Sequence, residues 1–138
     1  MKIQIDYVSA SDNVRKVADG LTAFFVDADL YDLSKCDPTA DADVYLIGFN
    51  LGNNMIPYRI MEFLETLEEK TVMFFVTSPV HLDERVEDAL ADKFEVFVSD
   101  SCQYLGVCLC DDESVEELIR NAYFNIKNAL EEAESEES

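Results

Sequence analysis

Residues 2–9, KIQIDYVS, place Ile3, Ile5 and Tyr7 on one side and Lys2, Gln4 and Asp6 on the other. A two-residue period is that of a strand. From Asp12 the period lengthens, and Val14, Val17, Ala18, Leu21, Phe24 and Phe25 share one helical stripe. A short strand is predicted around Asp29–Leu33, a turn at Pro38, and a buried strand in the apolar run DVYLIGF, residues 43–49. Pro57 suits the first position of a helix whose apolar face is Ile60, Phe63, Leu64 and Leu67. TVMFFVT, 71–77, is the most hydrophobic strand, and Leu82, Val86, Ala89 and Leu90 mark a helix from about Leu82 to Ala91. FEVFVS, 94–99, reads as a further strand that YLGVCLC, 104–110, continues after an interruption. The last helix runs from about Ser114 to Glu131 through Val115, Leu118, Ile119, Ala122, Ile126 and Ala129. Ser114 is its N-cap, with Glu117 placed to complete a capping box.

Strands alternating with helices imply an α/β fold, a parallel sheet with helices on both faces, and the second crossover reduced to a loop. Such a sheet takes ligands at the carboxyl ends of its strands, beside the switch point in strand order. Those ends are Ser9–Asn13, Gly48–Met55 and Thr77–His81. The first strand of such a sheet is buried on both faces, so Gln4 and Asp6 need partners or Asp6 acquires a raised pKa. A structural role is expected for Asp6, with its carboxylate holding backbone N–H groups.

The formal net charge of the 138 residues is −20. That field disfavours nucleic acid and anionic membranes and favours a basic protein surface. Five glutamates lie in the tail EEAESEES, 131–138, so one domain is expected over 1–130 and a disordered acidic tail beyond about Ala133. No apolar signal-peptide core and no run of 18 apolar residues occurs, which points to a soluble cytoplasmic protein. Cys36, Cys102, Cys108 and Cys110 form no C-x-x-C pair and stand beside a single histidine, which speaks against a structural metal site. Cys108 and Cys110, two apart in an apolar run, would share one face of a strand and are expected to be reduced core thiols.

The loop after the first strand opens a helix, where unpaired N–H groups and the helix dipole favour an anion. Ser9-Ala10-Ser11-Asp12-Asn13-Val14-Arg15-Lys16-Val17-Ala18 resembles the phosphate loop of flavodoxins, S/T-x-T-G-N-T followed by a charged pair. The resemblance continues through ADVYLIGFNLGNNMIPYRIMEFLETLEEKTVMFFVTS, 42–78. It implies a three-layer doubly wound flavodoxin-like fold, a five-stranded parallel sheet in the order 2-1-3-4-5, and FMN as cofactor. Carried over by position, Ser9, Ser11 and Asn13 match phosphate contacts, with Ala10 neutral between them. Asp12 replaces the family's glycine and Val14 its hydroxyl. A carboxylate beside a phosphate in a partly dry loop costs several kcal/mol, so Asp12 either blocks the site or turns its side chain to solvent.

By the same resemblance Phe49, Asn50, Leu51, Gly52 and Met55 border the flavin ring, with Thr77 and Ser78 on the third loop. Tyr104 and His81 are further ring partners, although a solvent-exposed loop role is the simpler one for His81. The function implied is an FMN-binding electron carrier, a monomer that meets a basic-surfaced redox protein or reductase. The rival is a flavin-free interaction or accessory protein closed by Asp12. A phosphoacceptor receiver domain is excluded, because the third strand ends in Phe49-Asn50 and VCLCDD carries no lysine. A low-molecular-weight phosphatase is excluded by the lack of a C-x-x-x-x-x-R loop.

Overall fold

The computed structural model describes residues 2–8, 12–51, 55–78, 82–110 and 114–137, with backbone alone at positions 12, 84, 115, 136 and 137. Among them, five strands run parallel: β1 (Ile3–Tyr7), β2 (Asp29–Asp32), β3 (Val44–Asn50), β4 (Thr71–Thr77) and β5 (Gln103–Cys110). Their order is β2-β1-β3-β4-β5, so the switch point lies between β1 and β3. The expected doubly wound architecture is the observed one. Helices α1 (Asp12–Phe24) and α4 (Val115–Glu137) cover one face, and α2 (Tyr58–Leu64) and α3 (Glu84–Glu95) the other.

The alternation in the strands sorts side chains between two cores. Ile5, Leu46, Phe75 and Cys108 meet Val14, Val17, Ala18 and Leu21 of α1 and Leu118, Ala122 and Ile126 of α4. Ile47, Phe49, Phe74 and Val107 meet Ile60, Phe63 and Leu64 of α2 and Leu90 and Phe94 of α3. Each fully buried large apolar side chain contributes about 1.5–3 kcal/mol. Phe24, at the end of the α1 stripe, stays half-exposed and stacks on Tyr123 of α4, with ring centroids 4.4 Å apart.

Residues 94–99 are not a strand. α3 begins after Asp83, whose carboxylate accepts from the N–H groups of Arg85 and Val86, and it runs on to Glu95. Phe94 and Val98 are buried while Val96 and Phe97 are exposed, which is helical spacing and not alternation. The Phe94 ring lies edge-on to Phe49 and Phe74, at 5.6 and 6.0 Å. This packing outweighs the β preference of the local residues.

The last helix also exceeds its expected end at Glu131 and runs through Glu137, into the stretch read as a disordered tail. Ala133 is buried three residues after buried Leu130, so the apolar stripe continues further than the acidic composition suggested. Among the described residues no helix is long and apolar enough to cross a membrane.

The crossover between β2 and β3 contains no helix, as expected, and side chains tie it down. Arg59 of α2 donates to the Leu33 carbonyl at 2.9 Å and pairs with Asp37. The Gln4 amide nitrogen donates to the Ala40 carbonyl at 2.9 Å, and the Ala42 N–H donates to the Tyr45 hydroxyl at 3.2 Å. In β5 the register slips by one residue, since Val72 pairs with Tyr104 but Phe74 with Val107. Gly106 occupies the slip at φ 101°, a backbone region that favours glycine. The extra residue lets Tyr104 and Val107 both join the α2/α3 core.

Cys108 and Cys110 are buried on one face, as their spacing predicts, whereas Cys36 is exposed and Cys102 half-buried. Cys102, in the bend before β5, still packs against the α2/α3 core, and Cys36 lies in the β2–β3 crossover.

Candidate functional site at the carboxyl edge of the sheet

β1 leads to α1, whose first residue is Asp12, on the α1 side of the switch point. A helix opening here directs its unpaired N–H groups to the carboxyl edge of the sheet. Val14 is fully buried in the α1/α4 core. Its side chain anchors the first turn and offers no contact to a ligand, so the missing hydroxyl of the motif is exchanged for packing. Asn13 is exposed at the same turn. Ser9, Ala10, Ser11, Gly52 and His81 lie outside the described residues, as does the Asp12 side chain.

Across the switch point and beyond it, the ends of β1, β3, β4 and β5 are laced together. The Val8 N–H donates to the Gly48 carbonyl at 3.0 Å, the Leu51 N–H to the Thr77 carbonyl at 2.8 Å, and the Ser78 N–H to the Cys110 carbonyl at 3.3 Å. The Thr77 hydroxyl donates to the Asn50 carboxamide oxygen at 2.9 Å. Asn50, Leu51, Thr77 and Ser78 are therefore brought together at one rim. Phe49 is not available there, because its ring is wholly buried between Phe74 and Phe94.

Tyr104 is displaced furthest from its expected place. It pairs with Val72 at the amino end of the sheet, its ring packs on Phe74 at 5.9 Å, and its hydroxyl donates to the Ala91 carbonyl at 2.7 Å. Burial first, then the Glu95 and Asp92 carboxylates, push its phenol up. It is a core residue and no ring partner.

Among the described residues near the start of α2, Met55 in the connection from β3 is 60% exposed and Tyr58, the first residue of α2, is 73% exposed. Tyr58 was not anticipated. Its signal in the sequence is its position directly after Pro57, the N-cap residue of α2, which holds Tyr58 at the opening of that helix.

Asp6 contradicts its expected role. It is fully buried on β1 opposite Ile47, and neither carboxylate oxygen has a hydrogen-bond partner among the described residues. Burial pushes its carboxyl up to about 8, so it is held as a neutral acid and not as a clamp on N–H groups. Tyr7, at the end of β1, has its phenol raised by burial, then by the Asp32 and Asp19 carboxylates, against the opposing Arg15.

A family model described as a flavodoxin domain matches residues 4–138. No curated protein matches the chain. Among solved structures, a candidate flavoprotein from Bacteroides uniformis is 20% identical with a TM-score of 0.62, over 86% of this chain and 96% of that one. Flavodoxin 1 from Bacillus cereus is 16% identical with a TM-score of 0.55, over 90% and 97%. An NADPH-quinone reductase from P. pentosaceus is 13% identical with a TM-score of 0.58, over 88% and 94%. These likenesses are of fold.

Proposed function

Because the chain belongs to the flavodoxin domain family, we propose that it binds FMN at the carboxyl edge of its sheet and carries electrons to a basic-surfaced redox partner. The observation that carries this reading is the opening of α1 at the switch point, beside a rim built from Asn50, Leu51, Thr77 and Ser78. The first N–H groups of α1 would hold the phosphate, with the exposed Asn13 carboxamide as a further donor. Met55 and Tyr58 would cover the ring, the tyrosine by stacking. FMN, when bound, supplies the redox chemistry itself. The chain's residues orient it: Val14 locks the first turn of α1 into the core, and the Thr77–Asn50 bond fixes the rim. The net charge of −20 favours encounter with a positively charged protein. The fold also houses a quinone reductase, but the charge suits docking on another protein, so the carrier role is the one proposed.

Asp12 as the first residue of α1 favours a second reading, a flavin-free accessory protein whose own carboxylate occupies the anion site. Absorbance of the purified protein separates the two. A band near ~450 nm, which belongs to the flavin, or uptake of added FMN supports the carrier. Colourless protein that takes up none supports the accessory role.

A further inference from the structure

At the opposite, amino-terminal end of the sheet, a cavity of about 360 Å³ opens between the β2–β3 crossover and the end of α2. Its inner end is lined by Gln4 of β1 and by the rings of Tyr45 and Phe63. Gln4 is fully buried, and its amide nitrogen donates to the Ala40 carbonyl at 2.9 Å. A carbonyl only accepts, so this bond fixes the orientation of the carboxamide. The Gln4 oxygen is left with no hydrogen-bond partner among the described residues. An acceptor shut away in this state costs about 1–3 kcal/mol, which a donor arriving from outside would offset.

The mouth of the cavity selects the sign of that donor. Glu65 and Glu68 stand exposed at its rim, together with Asp41. Lys70 is the cation there, and it already bridges to Asp41 at 3.2 Å. The Lys70 ammonium, then the Tyr45 hydroxyl, hold the Asp41 carboxyl below its ordinary value, so it stays charged. Anions are thereby disfavoured and cations drawn in.

We propose that this cavity binds a slim ammonium or guanidinium group, whose N–H donors meet the Gln4 oxygen inside and the Glu65, Glu68 and Asp41 carboxylates at the mouth. The Tyr45 and Phe63 rings wall its carbon stem or stack on its guanidinium plane. Because Gln4 is closed to bulk water, the entering group edges aside the side chains around it, which favours a narrow donor over a branched one. The group could belong to a free small cation or to an arginine or lysine side chain of a partner protein. The site stands apart from the carboxyl edge and does not depend on flavin binding.

The test is a titration of the ¹⁵N-labelled full chain, at low salt, with agmatine, with the capped tripeptide Ac-Gly-Arg-Gly-NH₂, and with propionate as the anionic control. Saturable shifts of the Gln4, Ala40, Tyr45 and Leu67 amides are expected with a cation and none with propionate. Binding of agmatine alone assigns a free small cation; equal binding of the tripeptide assigns a partner's side chain. Gln4→Met, which keeps bulk and removes the acceptor, should weaken binding about tenfold. Glu65→Gln with Glu68→Gln, at exposed positions that folding tolerates, should weaken it several-fold and flatten its salt dependence. No saturable shift with either cation up to about 20 mM, or wild-type affinity in both variants, overturns the proposal.

Discussion

The Thr77 hydroxyl at the end of β4 donates to the Asn50 carboxamide oxygen at the end of β3 across 2.9 Å, and Thr77 is itself buried. The bond joins two adjacent strand ends at the edge where FMN is proposed to bind. Thr77→Val keeps the shape and removes the donor, so a loss of about 1 kcal/mol is expected in urea unfolding. The looser rim should also weaken FMN binding a few-fold. Unchanged stability would show that the bond contributes nothing.

Gly48 of β3 faces the ring of Phe75 on β4 so closely that a Cβ would overlap the ring. Gly48→Ala should therefore cost about 1–3 kcal/mol through overpacking. Phe75→Leu in the same chain should recover part of that loss, and a double-mutant cycle measures the coupling. Strict additivity would count against a steric origin.

The buried Asp6 carboxyl, raised to about 8 and lacking a hydrogen-bond partner among the described residues, makes folding stability depend on pH in a defined direction. Between the unfolded value near 3.8 and the folded value of about 8, the folded chain binds a proton that the unfolded chain does not. Its contribution is whole below the unfolded value and falls by about 1.4 kcal/mol per pH unit until the folded value is passed. Asp6→Asn cannot ionise. Its advantage in urea midpoint over the parent chain should grow from about pH 5 to about pH 8 and level off above that. A pH-independent difference would refute the buried neutral acid.

Glu87 of α3 accepts from the Leu109 N–H of β5 at 3.0 Å, on the edge of the sheet away from β4. An unpaired edge N–H invites pairing with another chain. Glu87→Ala should cost about 1 kcal/mol and raise the tendency to associate, read by light scattering at matched concentration. A variant with parental stability and no added association would show that the cap is dispensable.

Much of the fold was legible because its strands are nearly continuous apolar runs and its long helices carry clear stripes. Val14, Val17, Ala18 and Leu21 are buried as their spacing requires. The failures have physical causes. FEVFVS satisfies alternation and helical spacing together, since Phe94 and Val98 are both two apart through Val96 and four apart directly. Only the ring cluster with Phe49 and Phe74 decides between them. Tyr104 was misplaced because a ring in a strand does not declare its end, whereas strand polarity puts it at the amino end, away from the carboxyl edge. Nothing in the local sequence announces a partner for Asp6, and nothing but its place directly after Pro57 announces the exposed ring of Tyr58. The loop 9–11, which would hold the phosphate, was legible by its motif alone.

The proposed function depends on the N–H groups opening α1 holding the phosphate of FMN. Equilibrium titration of flavin-free protein with FMN, followed by quenching of flavin fluorescence, tests it most directly, with Asp12→Gly measured beside the parent chain. Saturable one-to-one uptake is predicted, with at least about tenfold tighter binding once the carboxylate is removed. Failure of both chains to take up FMN would contradict the claim.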